Sequence, residues 1–233
     1  MNEKIIAVLI ILLYFSPVFY QLSIVIKESK RGNKLPLKKF LRVFKYSVLI
    51  FILIITDLGI ISHTNYLDYE RPTTYDRFDE ITFENFRGLE FFKKSLYGNE
   101  RFAYVYTTID SDFDENYVTI QSLFHPSRSF VYNKHTNSRE LLKHEKYHIK
   151  ITELYARKAR KEVLQLSSIT SDKVNEILEA IWRKEREYQK RYDYDTFHSY
   201  VLSEQKKYEK EVDSLLNLHA AYKNPKINID EKD

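Results

Sequence analysis

The stretch LLKHEKYHIKITELYARKARKE, Leu141 to Glu162, contains His144, Glu145 and His148 in the spacing of an HExxH metal motif. Its apolar residues recur at helical spacing, which predicts one amphipathic helix. Side chains four residues apart on a helix share a face, so both imidazoles can reach one ion. This geometry suits two ligands of a tetrahedral Zn²⁺, and Glu145 can reach a water on that ion. We therefore predict a zinc site with Glu145 as catalytic base.

A zinc site of this kind needs a third ligand from elsewhere in the chain. Glu153 follows His148 by five residues, which turns it about 140° away from the histidine face of a regular helix. Of the other histidines, His198 in YDYDTFHSY is the best placed, since it lies in the joint between two later predicted helices. Asp193 or Asp195 is the alternative, as a ligand or as a hydrogen-bond partner of one.

The sequence around the motif predicts strands before it and helices after it. Short stretches with alternating aromatic or β-branched residues predict an antiparallel sheet, at Arg101–Asp110, Tyr117–Phe124 and Ser127–Asn133. Helical patterns predict three helices, from a cap at Asn137 or Ser138 to Leu166, from Asp172 to Tyr192 and from Tyr200 to Tyr222. Strands followed by helices indicate an α+β fold.

The first 62 residues differ in composition from the rest of the chain. Ile5–Ile26 and Tyr46–Ser62 are apolar runs, which predict two transmembrane helices. Asp57, in the second run, is predicted to reach the headgroup region, with a functional intramembrane carboxyl as the alternative. The predicted organisation is a membrane hairpin over residues 1–62, an extracytoplasmic domain over 63–222 and a disordered tail over 223–233.

The positive charge of the chain is concentrated between the two apolar runs. Residues 27–45, predicted to be a loop, contain eight lysines and arginines against Glu28 alone, whereas the whole chain carries only +4. The positive-inside rule puts such a loop in the cytoplasm of a bacterial cell, beside anionic lipid, and the soluble domain in the periplasm or outside the cell. Since the rest of the chain is mildly acidic, no nucleic-acid partner is expected.

The chain contains no cysteine. This excludes disulfides, thiolate metal ligands and a cysteine nucleophile. Any metal must therefore be bound by nitrogen and oxygen atoms.

Five segments resemble a bacterial family of uncharacterised domains, predicted to be secreted zinc-dependent proteases. Its Leu-Leu-x-His-Glu-x-x-His core is similar to Leu141–His148, and its Tyr-Asp-x-x-Thr-x-His-Gly element to Tyr192–Ser199, with serine replacing glycine. The other similar segments are Ile81–Gly88, Phe124–Val131 and the pair Gln205 and Tyr208. The resemblance implies a zincin-like arrangement of sheet and helices, and it supports His198 as third zinc ligand.

The predicted function is a membrane-anchored zinc metallopeptidase that hydrolyses peptide bonds outside the inner membrane. Its predicted partners are a peptide or protein substrate, Zn²⁺ and membrane lipid. Two alternatives remain. One is a catalytically inactive, zinc-stabilised module that binds an envelope partner, and the other is a sensor that signals through the hairpin.

Overall fold

The computed structural model of the protein describes residues 3–63, 68–88, 103–132 and 138–229. The chain divides into two compact units, which are Met1–Ile60 and Ile61–Asp233. The helices are α1 (Glu3–Ser29), α2 (Leu35–His63), α3 (Arg139–Leu164), α4 (Ser171–Thr196) and α5 (Leu202–Leu218). The strands are β1 (Thr73–Thr74), β2 (Ala103–Tyr104), β3 (Thr107–Phe113), β4 (Tyr117–Phe124), β5 (Phe130–Val131) and β6 (Lys226–Asn228). The predicted α+β fold is confirmed: two apolar helices, then antiparallel strands and three helices.

The first unit is a pair of apolar helices joined by a turn. Within it, the Tyr14 hydroxyl donates a hydrogen bond to the Ser47 carbonyl at 2.7 Å, and the Tyr14 and Phe51 rings pack at 5.5 Å between centroids. Val8–Ser29 and Leu35–Ile61 are long and apolar enough to cross a membrane. The prediction of two candidate membrane helices near the N-terminus is thus confirmed.

The turn between these helices is shorter than predicted. Gly32 adopts a φ of +79°, and the Asn33 side chain accepts a hydrogen bond from the Leu35 backbone N–H at 3.1 Å, which begins α2. The predicted basic loop of residues 27–45 is therefore wrong from Leu35 onward. Its lysines, arginines and leucines are strong helix formers, so they extend the apolar helix instead of interrupting it.

The main sheet of the second unit is built around β4. Strand β3 pairs antiparallel with one edge of β4, with Ile109 opposite Ser122. β1 and β6 share the other edge of β4, β1 near its end and β6 near its start. β2 and β5 form a separate antiparallel pair. The predicted third strand, Ser127–Asn133, is reduced to Phe130–Val131 because Pro126–Arg128 form a 3-10 turn.

The helices cover one face of this sheet. Alternate residues of β4 are fully buried, and the apolar ones, Val118 and Ile120, pack with Ile109 against α3 residues such as Ile151. Because side chains alternate across a strand, this buried face fixes the register of the sheet. The motif helix therefore lies directly on the sheet.

Helices α3 and α4 both begin at a residue whose side chain caps the helix. The Ser138 hydroxyl accepts a hydrogen bond from the Leu141 N–H at 3.2 Å, as the predicted cap requires. Thr170 caps α4 in the same way. Helix α4 runs to Thr196, beyond the predicted end at Tyr192, so Asp193 lies in its last turn.

The predicted disordered tail of residues 223–233 is wrong where the structure describes it. Lys226–Asn228 form β6 against β4, and Ile227 is buried in the core. The segment is held from the helical side by Arg160, whose guanidinium donates hydrogen bonds to the Ile120 carbonyl at 2.7 Å and to the Tyr222 carbonyl at 2.8 Å. One buried arginine thus joins the sheet to the C-terminal segment.

Candidate metal centre

Helix α3 brings the two motif histidines together beneath the surface. His144 is 1% exposed and His148 is 8% exposed, and both rings lie on the same side of the helix. Their Nε2 atoms are 3.2 Å apart. The predicted shared face is therefore present. Two ring nitrogens in this arrangement can contact each other through one proton or through one cation.

The last turn of α4 contributes a carboxylate to these histidines. Asp193 Oδ1 lies 3.2 Å from His144 Nε2 and 2.9 Å from His148 Nε2. The ligand atoms of His144, His148 and Asp193 all lie within 4.8 Å of one another. Asp193, which the sequence suggested as an alternative to His198, is thus placed beside both motif histidines.

His198 contacts the same oxygen of this carboxylate. Its Nδ1 is 3.3 Å from Asp193 Oδ1, whereas its ring centroid is 6.3 Å from that of His144. The structure therefore brings the predicted third ligand to the site, next to Asp193. Asp195 lies elsewhere, because its carboxylate accepts a hydrogen bond from the Tyr208 hydroxyl at 2.5 Å.

An unusual turn positions His198. Phe197, His198 and Ser199 have φ angles of 45°, 52° and 76°, in the left-handed region that favours glycine. The His198 N–H donates to the Asp193 carbonyl at 3.2 Å, which closes the end of α4. Ser199 is the residue that replaces a glycine in the resemblance, and its positive φ supplies the physical reason for a glycine there.

The charges at this site are strongly coupled. Burial lowers the pKa of His144 to about 4, so its imidazole is neutral at pH 7. Burial opposes the charged form of His148 too, but the Asp193 carboxylate outweighs it and raises the pKa of His148 to about 9. Burial alone would raise the pKa of Asp193, yet His148, His144 and His198 hold it well below its usual range.

The cluster has the dimensions of a zinc site. Ligand atoms about 2.1 Å from a tetrahedral zinc ion lie about 3.4 Å from each other. The separations among His144, His148 and Asp193 are 3.2, 3.2 and 2.9 Å. Two imidazoles and a carboxylate are also the donors that zinc binds in catalytic sites. These residues therefore fit a zinc ion.

A second layer of polar side chains fixes His148, and the sequence interpretation missed it. His148 Nδ1 donates a hydrogen bond to Gln189 Oε1, which directs Nε2 toward Asp193. The Gln189 amide group donates in turn to the His148 carbonyl at 2.9 Å and to Glu185 at 2.8 Å. Gln189 precedes Asp193 by four residues, so helical spacing from the proposed ligand is the signal that identifies it.

Glu145 borders a cavity in front of the histidines. Its side chain is 3% exposed and lines a cavity of about 270 Å³, together with His148, Asp193 and His198. The opposite wall is the chain segment from Ala103 to Thr107. The predicted base Glu145 and the predicted ligands His148 and His198 therefore meet at one cavity, whereas the buried His144 does not line it.

The start of β3 and the residues just before it line this cavity. Tyr106 N–H donates to Ser129 Oγ at 2.9 Å, and Tyr106 C=O accepts from His125 N–H at 3.0 Å. Because backbone groups alternate in direction along a strand, those of Val105 and Thr107 face α4. No described strand pairs with this edge of β3.

A second cavity of about 290 Å³ continues the first along β3. Both cavities are lined by Tyr106, Thr107, Glu185 and Arg186. At the far end, the Trp182 indole N–H donates to the Ile109 carbonyl at 3.1 Å. The two cavities thus form one groove between β3 and α4, defined here as the β3–α4 groove, with the candidate metal site at one end.

The comparison with protein families matches the centre of this site. Residues 133–199 match the DUF922 domain, a bacterial protein of unknown function. The match includes every residue of the candidate metal centre and covers less than a third of the chain. Its description fits the predicted bacterial family of uncharacterised domains and names neither an activity nor a metal. The chain matches no curated protein and no solved structure.

Two further segments of the resemblance lie outside this match, and they contact each other. The Gly88 N–H donates to the Ser129 carbonyl at 2.6 Å, and the Arg87 N–H donates to the Pro126 carbonyl at 2.9 Å. A Cβ atom on Gly88 would lie 2.9 Å from the Ser129 oxygen. Glycine is therefore required where Ile81–Gly88 crosses the Phe124–Val131 segment.

Proposed function

We propose that this protein is a membrane-anchored zinc metallopeptidase. The observation that carries the proposal is the buried cluster of His144, His148 and Asp193, whose ligand atoms have the spacing of a zinc site. A carboxylate and a strand edge that no described strand pairs with share the adjoining cavity. The carboxylate is suited to general base catalysis, and the strand edge is suited to aligning an extended peptide.

The residues of the cluster have distinct proposed roles. His144, His148 and Asp193 would hold the zinc ion, and the buried neutral ring of His144 is already in the metal-binding form. His198, predicted as the third ligand, would orient the Asp193 carboxylate through the contact of its Nδ1 with Oδ1. Gln189 keeps His148 oriented. When bound, zinc lowers the pKa of a coordinated water to about 7.

Glu145 is the proposed general base and acid. It follows His144 directly, so it lies about 100° around the helix from His144 and about 60° from His148, and it lines the cavity. From there it accepts the proton of the attacking water and delivers it to the amine nitrogen that leaves. The peptide would be aligned on the backbone groups of Val105 and Thr107, as an added strand of the sheet.

The proposed location follows from the first unit. Two candidate membrane helices enclose a short turn, and the basic residues cluster at that turn and in the first part of α2. This charge favours a cytoplasmic turn in contact with anionic lipid. Both ends of the hairpin then face the periplasm or the cell exterior, where the second unit would act on peptides or proteins.

The substitution Glu145→Gln tests the mechanism. It removes the proton acceptor while leaving the three proposed ligands in place. We expect one zinc per chain, measured by metal analysis, in both forms of the full chain purified in detergent. We also expect a loss of about 10²–10⁴-fold in the hydrolysis of a quenched fluorescent peptide library, since general base catalysis contributes by this factor.

Glu179→Gln is the matched control, because Glu179 is exposed on α4 and lines neither cavity. It should hydrolyse the library at the original rate. Equal activity of the Glu145 and Glu179 variants would contradict the proposed role of Glu145. A chain that binds one zinc but cuts no peptide would instead favour the zinc-stabilised binding module.

A further inference from the structure

The β3–α4 groove has one wall of backbone and one wall of side chains. The backbone wall is the edge of β3. The second wall is a stripe along α4 whose members recur every three or four residues, so that they share one face: Trp182, Glu185, Arg186, Gln189 and Asp193. Asp193 belongs to the candidate metal site, and Gln189 forms a hydrogen bond with His148. Trp182 and Arg186 lie farther along the groove.

Arg186 is the only lysine or arginine among the described residues that line the groove. Its side chain is exposed, and no described residue forms a hydrogen bond or ion pair with it. The neighbouring Glu185 carboxylate is engaged by Thr152 at 3.0 Å and Gln189 at 2.8 Å. A guanidinium with free donors is suited to a planar carboxylate.

The position of Arg186 sets a distance from the proposed reaction centre. Arg186 precedes Asp193 by seven residues on α4, which corresponds to about 10 Å along the helix axis. Three residues of an extended peptide span about the same length. A carboxylate held by Arg186 would therefore lie about three residues from the peptide bond at the metal site.

The direction of the peptide follows from the strand. β3 runs from the metal site toward Ile109, whose carbonyl is already bound by Trp182. An antiparallel peptide, the commoner pairing, would place its N-terminal part at the Arg186 end. Because Trp182 occupies the Ile109 carbonyl, a bound peptide could not form a backbone hydrogen bond with that carbonyl.

Resting on the proposed peptidase function, we infer that Arg186 selects substrates with a carboxylate about three residues from the cleaved bond. In an antiparallel peptide this carboxylate belongs to an aspartate or glutamate side chain on the N-terminal side. In a parallel peptide it is the C-terminal carboxylate. The substrate class is therefore an acidic peptide in extended conformation.

Peptide binding to the zinc-loaded Glu145→Gln chain tests this inference without hydrolysis. Three fluorescent peptides serve as probes: one with glutamate three residues before its central bond and an amidated C-terminus, one with glutamine at that position, and one with glutamine and a free C-terminal carboxylate three residues after the bond. We expect the glutamate peptide to bind at least tenfold more tightly than its glutamine counterpart, by fluorescence anisotropy.

Arg186→Gln, added to this chain, should reduce the preference to less than twofold. Arg183→Gln, an exposed arginine of the same helix that lines neither cavity, should leave the preference unchanged. A preference for the free-carboxylate peptide that depends on Arg186 would assign the carboxylate to the peptide terminus. Equal affinity or no measurable binding for all three peptides, or a preference that survives Arg186→Gln, would overturn the inference.

Hydrolysis by the unsubstituted chain separates this inference from the proposed function. If it cuts glutamate and glutamine peptides at equal rates and the cutting requires Glu145, the peptidase function is supported and the role of Arg186 is refuted. If it cuts none of them while the Arg186-dependent preference persists, the carboxylate site stands and the peptidase function fails.

Discussion

Asp193 is the residue on which the candidate metal centre converges. One of its oxygens lies within 3.3 Å of a nitrogen of His144, His148 and His198. A single carboxylate oxygen between three imidazoles stabilises whichever ring is protonated. The same oxygen is positioned to bind a cation that both motif histidines bind, and this makes Asp193 the stronger candidate for third ligand.

Asp193→Asn and His198→Ala distinguish the two candidates. Loss of a direct ligand should lower zinc affinity at least 100-fold, whereas loss of a residue that orients a ligand costs about 10–100-fold. We therefore expect the Asp193 variant to be the weaker of the two, measured by competition with a chromogenic chelator. His219→Ala is the control, because His219 bonds only within the end of α5. A larger loss with His198→Ala would restore His198 as the ligand.

Ser199 carries a conformational cost that glycine would not. Its φ of 76° is in the left-handed region, where a non-glycine residue costs about 1 kcal/mol or more. Ser199→Gly should therefore stabilise the protein by about 1 kcal/mol and raise its Tm by about 3 °C, measured by circular dichroism.

Ser203→Gly is the matched control for this change, since Ser203 is exposed in α5, where glycine lowers helix stability. The two substitutions should shift the Tm in opposite directions. A lower Tm for Ser199→Gly would show that the backbone conformation of Ser199 does not destabilise the protein.

At the level of elements, Arg160 joins α3 to the C-terminal segment through hydrogen bonds, and it forms a buried ion pair with Glu153 of the same helix. Arg160 and Glu153, each 2% exposed, contact each other at 3.0 Å. Arg160 also binds carbonyl groups of β4 and of the segment before β6. Removing one member of a buried pair leaves the other uncompensated, which is costly.

Arg160→Met should lower the free energy of unfolding by about 3 kcal/mol. It leaves Glu153 with Arg157 and the Ser122 hydroxyl, and three backbone carbonyls without this donor. The measurement is the denaturant midpoint of the full chain in detergent. Arg183→Met should move this midpoint by less than a fifth as much, because Arg183 is exposed. Equal midpoints would show that the buried pair does not contribute to stability.

Local patterns predicted most of these elements. Periodic apolar residues and the caps at Ser138 and Thr170 locate the helices, since such signals act within a few residues. The order of strands around β4 was not predictable in this way. β6 has little periodicity of its own, and its position depends on Arg160, which is distant in sequence.

In the candidate site too, the residues within one helix were predictable, whereas those that depend on tertiary packing were not. His144, Glu145 and His148 follow from spacing in one helix. The choice between Asp193 and His198 depends on where α4 ends, and helix ends are poorly determined by propensity. Helical spacing from Asp193 points to Gln189, whereas Arg186 is recognised as a groove residue only when α4 is placed against β3.

On the scale of the whole chain, the absence of cysteine allows a direct test of topology. Lys30 lies in the turn between the two candidate membrane helices, and Ser167 lies between α3 and α4; both are exposed. A single cysteine at either position would be the only thiol in the protein. The proposed location requires these two positions to be on opposite sides of the membrane.

Ser167→Cys should react with a membrane-impermeant maleimide in intact spheroplasts, whereas Lys30→Cys should react only after the membrane is permeabilised. The physical reason is the concentration of positive charge at residues 27–45, which disfavours translocation. Labelling is measured by a gel shift. The opposite pattern would place the second unit in the cytoplasm.

The indole of Trp182 also has a consequence for encounters between copies of the protein. An unpaired strand edge is a template on which the same edge of a neighbouring molecule can assemble. By occupying the Ile109 carbonyl, Trp182 interrupts the row of backbone acceptors on β3. The unpaired stretch of β3 is thereby shortened, which disfavours edge-to-edge pairing of two copies along the whole strand.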